Sequence, residues 1–107
     1  MLKKEFREWL DTTYASQHSI KNPKVLGNYV SRIGRIEREY QRLEADFTLE
    51  KAYQQDGLVG IRGEFKKRGK AAIEKGINLP ADTLAIYPYI SALKIYQVFL
   101  TEYYNGK

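Results

Sequence analysis

The 107-residue sequence contains no cysteine and only one histidine and one tryptophan. The absence of cysteine excludes disulfide bonds, thiolate metal ligands and a cysteine nucleophile. No apolar run approaches the ~20 residues that a membrane-spanning helix requires. The charged first residues are followed by no apolar stretch of the kind found in signal peptides. We therefore expect a cytoplasmic protein that makes no contact with a membrane.

Residue patterns that support catalysis are also missing. His18 stands in a polar stretch beside Ser16, Gln17 and Ser19, where a surface role is more common than that of a general base. The carboxylates are scattered, and the sequence has no glycine-rich phosphate loop, nucleophile elbow or metal-ligand spacing. These absences predict that the chain is not an enzyme and holds no metal or cofactor.

Apolar residues, by contrast, are plentiful enough for a packed core. They make up 43% of the chain and include nine Tyr and four Phe. A chain of this length supports one such core, so residues 1–107 should form a single domain.

The spacing of the apolar residues predicts helices throughout. Apolar positions three and four apart indicate helices over residues 2–14, 23–43, 49–54 and 58–68, and from Pro88 to about Asn105. Asn22 with Pro23, and Thr48, are typical helix starts. Residues 69–80 either continue the fourth helix or form a loop. Because no segment alternates with a period of two, the predicted fold class is all-α, a compact bundle of four to five helices.

The positive charge lies in two segments. Net charge is +5, but residues 21–42 carry six basic against two acidic groups, and residues 62–75 carry the same numbers. A field concentrated in this way attracts polyanions more strongly than the net charge suggests.

The first basic segment places arginines on one side of the second predicted helix. Arg32, Arg35 and Arg42 share that side with the polar residues Asn28 and Ser31, and Lys24 precedes them. Planar guanidinium groups suit phosphate oxygens and base edges. The alternative is a solvated helix face on which glutamates of the same helix neutralise the arginines.

The second basic segment is rich in lysine and interrupted by glycine. Its candidate phosphate contacts are Arg62, Lys66, Lys67, Arg68 and Lys70. Flexible cationic side chains suit contact with phosphates independent of sequence, which predicts a loose electrostatic arm. The alternative is a mobile loop with no ligand.

The order of motifs resembles a known family. The stretches are FREWL at 6–10, NYVSRI at 28–33, RIE at 35–37, LEKAY at 49–53 and YISALKIY at 89–96. They resemble the core-binding (SAM-like) helical domain of tyrosine recombinases and the related N-terminal modules of bacterial restriction-type nucleases. The resemblance implies half of a clamp around duplex DNA, with Asn28, Ser31, Arg32 and Arg35 as one contact set and Ser91 and Lys94 as the second. We expect no catalytic domain of that family in this chain, and residues 66–80 are more basic and richer in glycine than the family pattern.

Three hypotheses follow. The first is a non-catalytic DNA-binding module that grips the duplex backbone through the basic helix face and the Lys/Gly-rich segment. The second is an inhibitor or accessory protein, encoded by a phage or mobile element, that binds a nuclease, a recombinase or another protein–nucleic-acid complex. The third is a structural homodimer formed through the adjacent aromatic residues Tyr103 and Tyr104.

Overall fold

A computed structural model describes residues 1–80 and 83–106, and these residues form six helices and no strand. Helix α1 covers residues 3–18 and consists of Lys3–Trp9, a π-helical turn Leu10–Tyr14 and Ala15–His18. The others are α2 (Pro23–Leu43), α3 (Leu49–Asp56), α4 (Val59–Glu64), α5 (Lys66–Lys75) and α6 (Tyr87–Asn105), the last preceded by a 3₁₀ turn Leu84–Ile86. The all-α prediction is confirmed, with one helix more than the four to five expected.

Local signals place several helix ends. The Asn22 side chain accepts a hydrogen bond from the Lys24 N–H at 2.9 Å, and Pro23 occupies the first turn of α2. The Thr48 hydroxyl accepts one from the Lys51 N–H at 3.1 Å at the start of α3. Gly57 ends α3 in the left-handed conformation. The predicted range of α2 is confirmed at both ends.

Two other predicted boundaries were wrong. The first helix does not end at residue 14, because a π-helical turn carries it through the polar stretch as far as His18. The helix predicted over residues 58–68 breaks at Phe65, and residues 67–69 form a left-handed turn. The undecided residues 69–80 continue as α5 to Lys75 and then run non-helically past Ile77 and Leu79, which are buried.

The core lies between α2 and α6, with the other helices around it. Phe6 of α1 packs edge-to-face on Tyr96 at a ring separation of 4.8 Å and lies 5.2 Å from Phe99. The largest side chains that are almost fully buried come from four of the six helices, α1, α2, α3 and α6, and from the connections. They are Tyr96, Phe6, Phe65, Leu10, Ile33, Ile36, Leu49, Leu58, Ile86, Leu93 and Leu100.

One buried polar cluster ties the start of α1 to this core. Glu37 accepts hydrogen bonds from the Met1 ammonium at 2.6 Å and from the Leu49 N–H at 2.9 Å. The Tyr96 hydroxyl accepts one from the Leu2 N–H at 3.0 Å. A buried carboxylate is tolerated here because both of its oxygens are hydrogen-bonded. Within the described residues, no helix is long and apolar enough to span a bilayer.

Candidate nucleic-acid interface

The C-terminal half of the predicted arginine face on α2 is engaged within the protein. Arg35 donates to the Tyr89 hydroxyl at 2.9 Å and to the Asn78 carbonyl at 3.2 Å. Arg42 donates to the Gly76 carbonyl at 2.9 Å and forms an ion pair with Glu39 at 2.8 Å. These two arginines therefore hold residues 76–78 against α2, which is a structural role.

Glu39 completes this contact from the middle of the same face. Its carboxylate accepts the Asn78 N–H at 2.7 Å as well as the Arg42 guanidinium. Desolvation acts to raise the pKa of Glu39, but the hydrogen bonds from Arg42 and Asn78 and the nearby guanidinium charges outweigh it, so the pKa lies below its ordinary value. The carboxylate stays ionised and keeps both neighbours in place.

The N-terminal half of the face is open. Lys24, Asn28 and Ser31 are exposed and Arg32 is half-buried. Within the described residues none of these four side chains forms an ion pair or a hydrogen bond. They are available to a ligand, and they lie on the side of α2 away from the core.

The second basic segment borders a groove between α4, the left-handed turn and the start of α6. This basic groove has a volume of about 620 Å³. Four of its lining residues are cationic and none is acidic. The lining consists of Val59, Arg62, Gly63, Phe65, Lys66, Lys67, Arg68, Tyr87, Ile90, Leu93 and Gln97. Such a lining concentrates positive potential over an apolar floor.

Arg62 is held in position on the wall of the basic groove. Its guanidinium donates to the Gln97 side-chain oxygen, and the Gln97 amide donates to the Gly57 carbonyl at 2.6 Å. This bond uses one of the five N–H donors of the guanidinium. A fixed guanidinium loses less conformational freedom on binding an anion than a mobile one.

The left-handed turn presents the other three cations. Lys67 (φ 54°, ψ 46°) and Arg68 (φ 59°, ψ 33°) precede Gly69 (φ 79°, ψ 23°) in the same conformation. The Gly69 N–H donates to the Phe65 carbonyl at 3.0 Å, which closes the turn. Lys66, Lys67 and Arg68 are exposed and have no carboxylate partner among the described residues. The backbone is therefore left-handed at two of the cationic residues that line the groove, Lys67 and Arg68.

The last two cations of the second basic segment, the candidate Lys70 and its neighbour Lys75, differ in their contacts. Lys70 is exposed, whereas Lys75 forms an ion pair with Glu64 and lies 5.7 Å from the centre of the Tyr40 ring. Glu64 also accepts the Tyr40 hydroxyl. Desolvation and this carboxylate raise the pKa of Tyr40. Lys75 therefore helps to join α5 to α2.

Ser91 and Lys94, the second contact set, border a different opening. This aromatic cleft lies between α1, α2 and α6, has a volume of about 500 Å³, and has no acidic residue in its lining. Its lining consists of Trp9, Tyr14, Gln17, His18, Tyr29, Ser91, Lys94, Ile95 and Val98. The sequence did not indicate this aromatic wall, because the predicted helix ended at residue 14 and left His18 in a polar stretch beyond it. Tyr14 and His18 are four residues apart, so a predicted helix continued to residue 18 would have placed both rings on one face.

The Tyr pair proposed for a dimer contact also has neighbours within the chain. Tyr104 stacks on Tyr53 at a ring separation of 5.6 Å and lies edge-on to Tyr103. Tyr103 in turn packs against Phe99 of the core. The homodimer stays a prediction.

The described residues contain no group of three or more His, Asp or Glu side chains placed to hold a metal ion. Comparison with models of known families, with curated proteins and with solved structures finds no match to this chain. The basic groove and the aromatic cleft are the two openings of the described residues that border the candidate binding residues.

Proposed function

We propose that this protein is a non-catalytic, cytoplasmic nucleic-acid-binding module that grips a phosphate backbone in the basic groove. The observation that carries the proposal is the groove's lining, in which Arg62, Lys66, Lys67 and Arg68 converge without a carboxylate. Protein surfaces usually intersperse both signs of charge, and a one-signed cleft favours a polyanion. Duplex DNA is the expected ligand, in keeping with the resemblance to the core-binding (SAM-like) domain.

The open half of the α2 face supplies the second part of the grip in this proposal. Lys24, Asn28, Ser31 and Arg32 have no partners among the described residues, and Lys94 is exposed on α6 between the two openings. Arg35 and Arg42 are removed from the contact set, because their guanidinium groups hold residues 76–78. Arg35→Glu would therefore disturb folding, and a loss of DNA binding in this variant would follow from the disturbed fold.

Salt dependence tests the proposal. Each phosphate contact contributes about −0.9 to the slope of log K against log salt concentration on duplex DNA, so the four groove cations alone contribute about −3 to −4. Contacts from Lys24, Arg32 and Lys94 would make the slope steeper. Fluorescence anisotropy with a labelled 20-base-pair duplex between about 50 and 300 mM salt measures it. The triple variant Lys66→Gln, Lys67→Gln, Arg68→Gln should lose two to three units of that slope.

A matched control removes exposed charge elsewhere. Lys3 and Lys4 on α1 are exposed and form no ion pair among the described residues, and neither lines the basic groove. The double variant Lys3→Gln, Lys4→Gln should bind duplex DNA nearly as the unmodified protein does. Equal losses of slope per charge removed in the triple and the control variants would reduce the effect to net charge. A slope near zero for the unmodified protein would refute the proposal.

One observation favours a second function. Val59 (67% exposed) and Tyr87 (47% exposed) are apolar residues on the lining of the basic groove. An apolar and cationic groove also fits an acidic amphipathic segment of a protein, such as a nuclease regulated by a phage or mobile-element protein. Val59→Ser distinguishes the two functions, because it should weaken binding to such a segment and leave duplex DNA binding unchanged.

A further inference from the structure

The aromatic cleft is built around a row of rings on one side of α1. The ring centroids of Trp9 and Tyr14 lie 5.6 Å apart, and Tyr14 stacks on His18 at 4.0 Å. Tyr29 of α2 meets Tyr14 edge-on at 5.9 Å. Ring faces in an accessible cleft are the surfaces on which nucleobases stack.

The π-helical turn is the reason that this row exists. In an α-helix residues five apart point in different directions, whereas a π turn closes hydrogen bonds between residues i and i+5 and brings such residues to one side. The turn Leu10–Tyr14 therefore aligns Tyr14 with Trp9, and the following α-helical turn aligns His18 with Tyr14. The Thr12 hydroxyl donates to the Glu8 carbonyl at 2.8 Å. In a regular α-helix that carbonyl would accept the backbone N–H of Thr12.

The cleft and the basic groove lie on adjacent faces of α6. Ile90 and Gln97 line the groove, and Ser91 and Val98, each one residue later, line the cleft. One residue corresponds to about 100° around the helix, so the two openings are separated by roughly one helix width, about 10 Å. At about 3.4 Å per nucleotide of a stacked strand, that distance is about three nucleotides. Lys94 lines the cleft and follows the groove residue Ile90 by four positions, so it lies on the side of the cleft nearer the groove, where a phosphate would pass.

We infer that the aromatic cleft receives an unpaired base of the strand whose phosphates lie in the basic groove. The ligand class is therefore nucleic acid with a single-stranded segment, such as a duplex with a short overhang. This inference rests on the proposed function for the groove and adds the base site. A base inside duplex DNA is stacked between its neighbours and does not present its faces to a protein ring.

Trp9 gives a direct readout, because it is the single tryptophan of the chain and lines the cleft. Three labelled DNA ligands are compared: a blunt duplex, the same duplex with a four-nucleotide overhang, and the overhang duplex with abasic sites in place of the overhang bases. The overhang should bind about ten-fold tighter than the abasic version, the size expected for one stacked base. Only the ligand with bases should change the Trp9 fluorescence.

The variant His18→Ala removes the most exposed ring of the row and should cancel the ten-fold preference, with blunt-duplex binding unchanged. Tyr104→Ala is the matched control, because Tyr104 belongs to another stacked pair that does not line the cleft. Equal affinity for overhang and abasic ligands, with unchanged Trp9 fluorescence, would overturn the base site and leave the groove intact. Absence of binding to all three ligands would instead refute the proposed function.

Discussion

The left-handed turn at residues 67–69 leads to an unusual prediction, that removing a side chain stabilises the fold. Lys67 and Arg68 are exposed and adopt φ values of 54° and 59°. This conformation costs a residue with a Cβ about 1–2 kcal/mol, and glycine adopts it without that cost. Glycine also makes the unfolded chain more flexible, which lowers the free energy of unfolding by roughly 0.5–1 kcal/mol. Each of Lys67→Gly and Arg68→Gly should therefore raise the free energy of unfolding by about 0.5–1 kcal/mol.

Urea and thermal unfolding followed by circular dichroism measure this gain. An unfolding entropy of about 2.1 cal/mol/K per residue, over 107 residues, converts 1 kcal/mol into about 4 °C in Tm. Lys70→Gly is the control, because it removes the same charge at an exposed α5 residue whose backbone is helical. Glycine in a helix is unfavourable by up to about 1 kcal/mol, so this control should lower the stability.

The same variants should weaken binding while they stabilise the fold. Lys67 and Arg68 line the basic groove, so each substitution should reduce the salt slope for duplex DNA by about 0.9. Partial unfolding would lower both the stability and the affinity for DNA, so a variant that is more stable and binds DNA more weakly cannot be explained by it. If Lys67→Gly, Arg68→Gly and Lys70→Gly all destabilise the protein equally, the turn is not left-handed in solution and the reasoning fails.

Further predictions concern the buried ion pair and two glycines. Glu37→Gln removes the charge that holds the Met1 ammonium and should lower the free energy of unfolding by about 2 kcal/mol or more, seen as a lower urea midpoint. Burial acts to lower the pKa of that ammonium, but the hydrogen bond and charge of Glu37 and the charge of Glu50 raise it above 8.0 overall. The stability that the charged Met1 ammonium contributes is therefore complete below about pH 8 and is lost as the pH rises through its raised pKa. Acetylating the amine should flatten the dependence of the free energy of unfolding on pH between about pH 7 and 10. Gly76→Ala should lower the free energy of unfolding by about 1–2 kcal/mol, because φ is +100° at that residue. Gly63→Ala should raise it by up to about 1 kcal/mol, because Gly63 is helical and an added Cβ has no side chain or backbone within 4 Å. Differential scanning calorimetry checks the sign of both changes.

Features fixed by neighbours in sequence were predictable. The range of α2 follows from the Asn22 cap, the position of Pro23 and an apolar stripe that continues as far as Leu43. Thr48 likewise starts α3, because its hydroxyl needs only the N–H three residues later. Each of these interactions is complete within one or two helical turns, so the residue types alone carry the information.

The roles of the arginines were not predictable in this way. Arg35 reaches Asn78 and Tyr89, 43 and 54 residues away, and Arg42 reaches Gly76, 34 residues away. Two of these partners are backbone carbonyls, which every residue possesses and no sequence pattern marks. Charge and spacing show that a guanidinium lies on the outer side of α2, but only the fold shows whether a carbonyl is already bound to it.

The second basic segment is more ordered than its composition suggested. The Lys/Gly-rich segment was expected to be a loose arm, yet Ile61, Phe65 and Ala72 anchor it in the core and Gln97 fixes Arg62. Ordering a long charged side chain on binding costs roughly 0.5–1.5 kcal/mol, so Arg62, which Gln97 already orders, would bind a phosphate with a smaller loss. A backbone held in the left-handed conformation at Lys67 is tolerable in a marginally stable domain if it keeps such a site in place. Gly69 is the one glycine in this turn, where its φ of 79° carries no Cβ strain, and the turn orders the backbone at the edge of the basic groove.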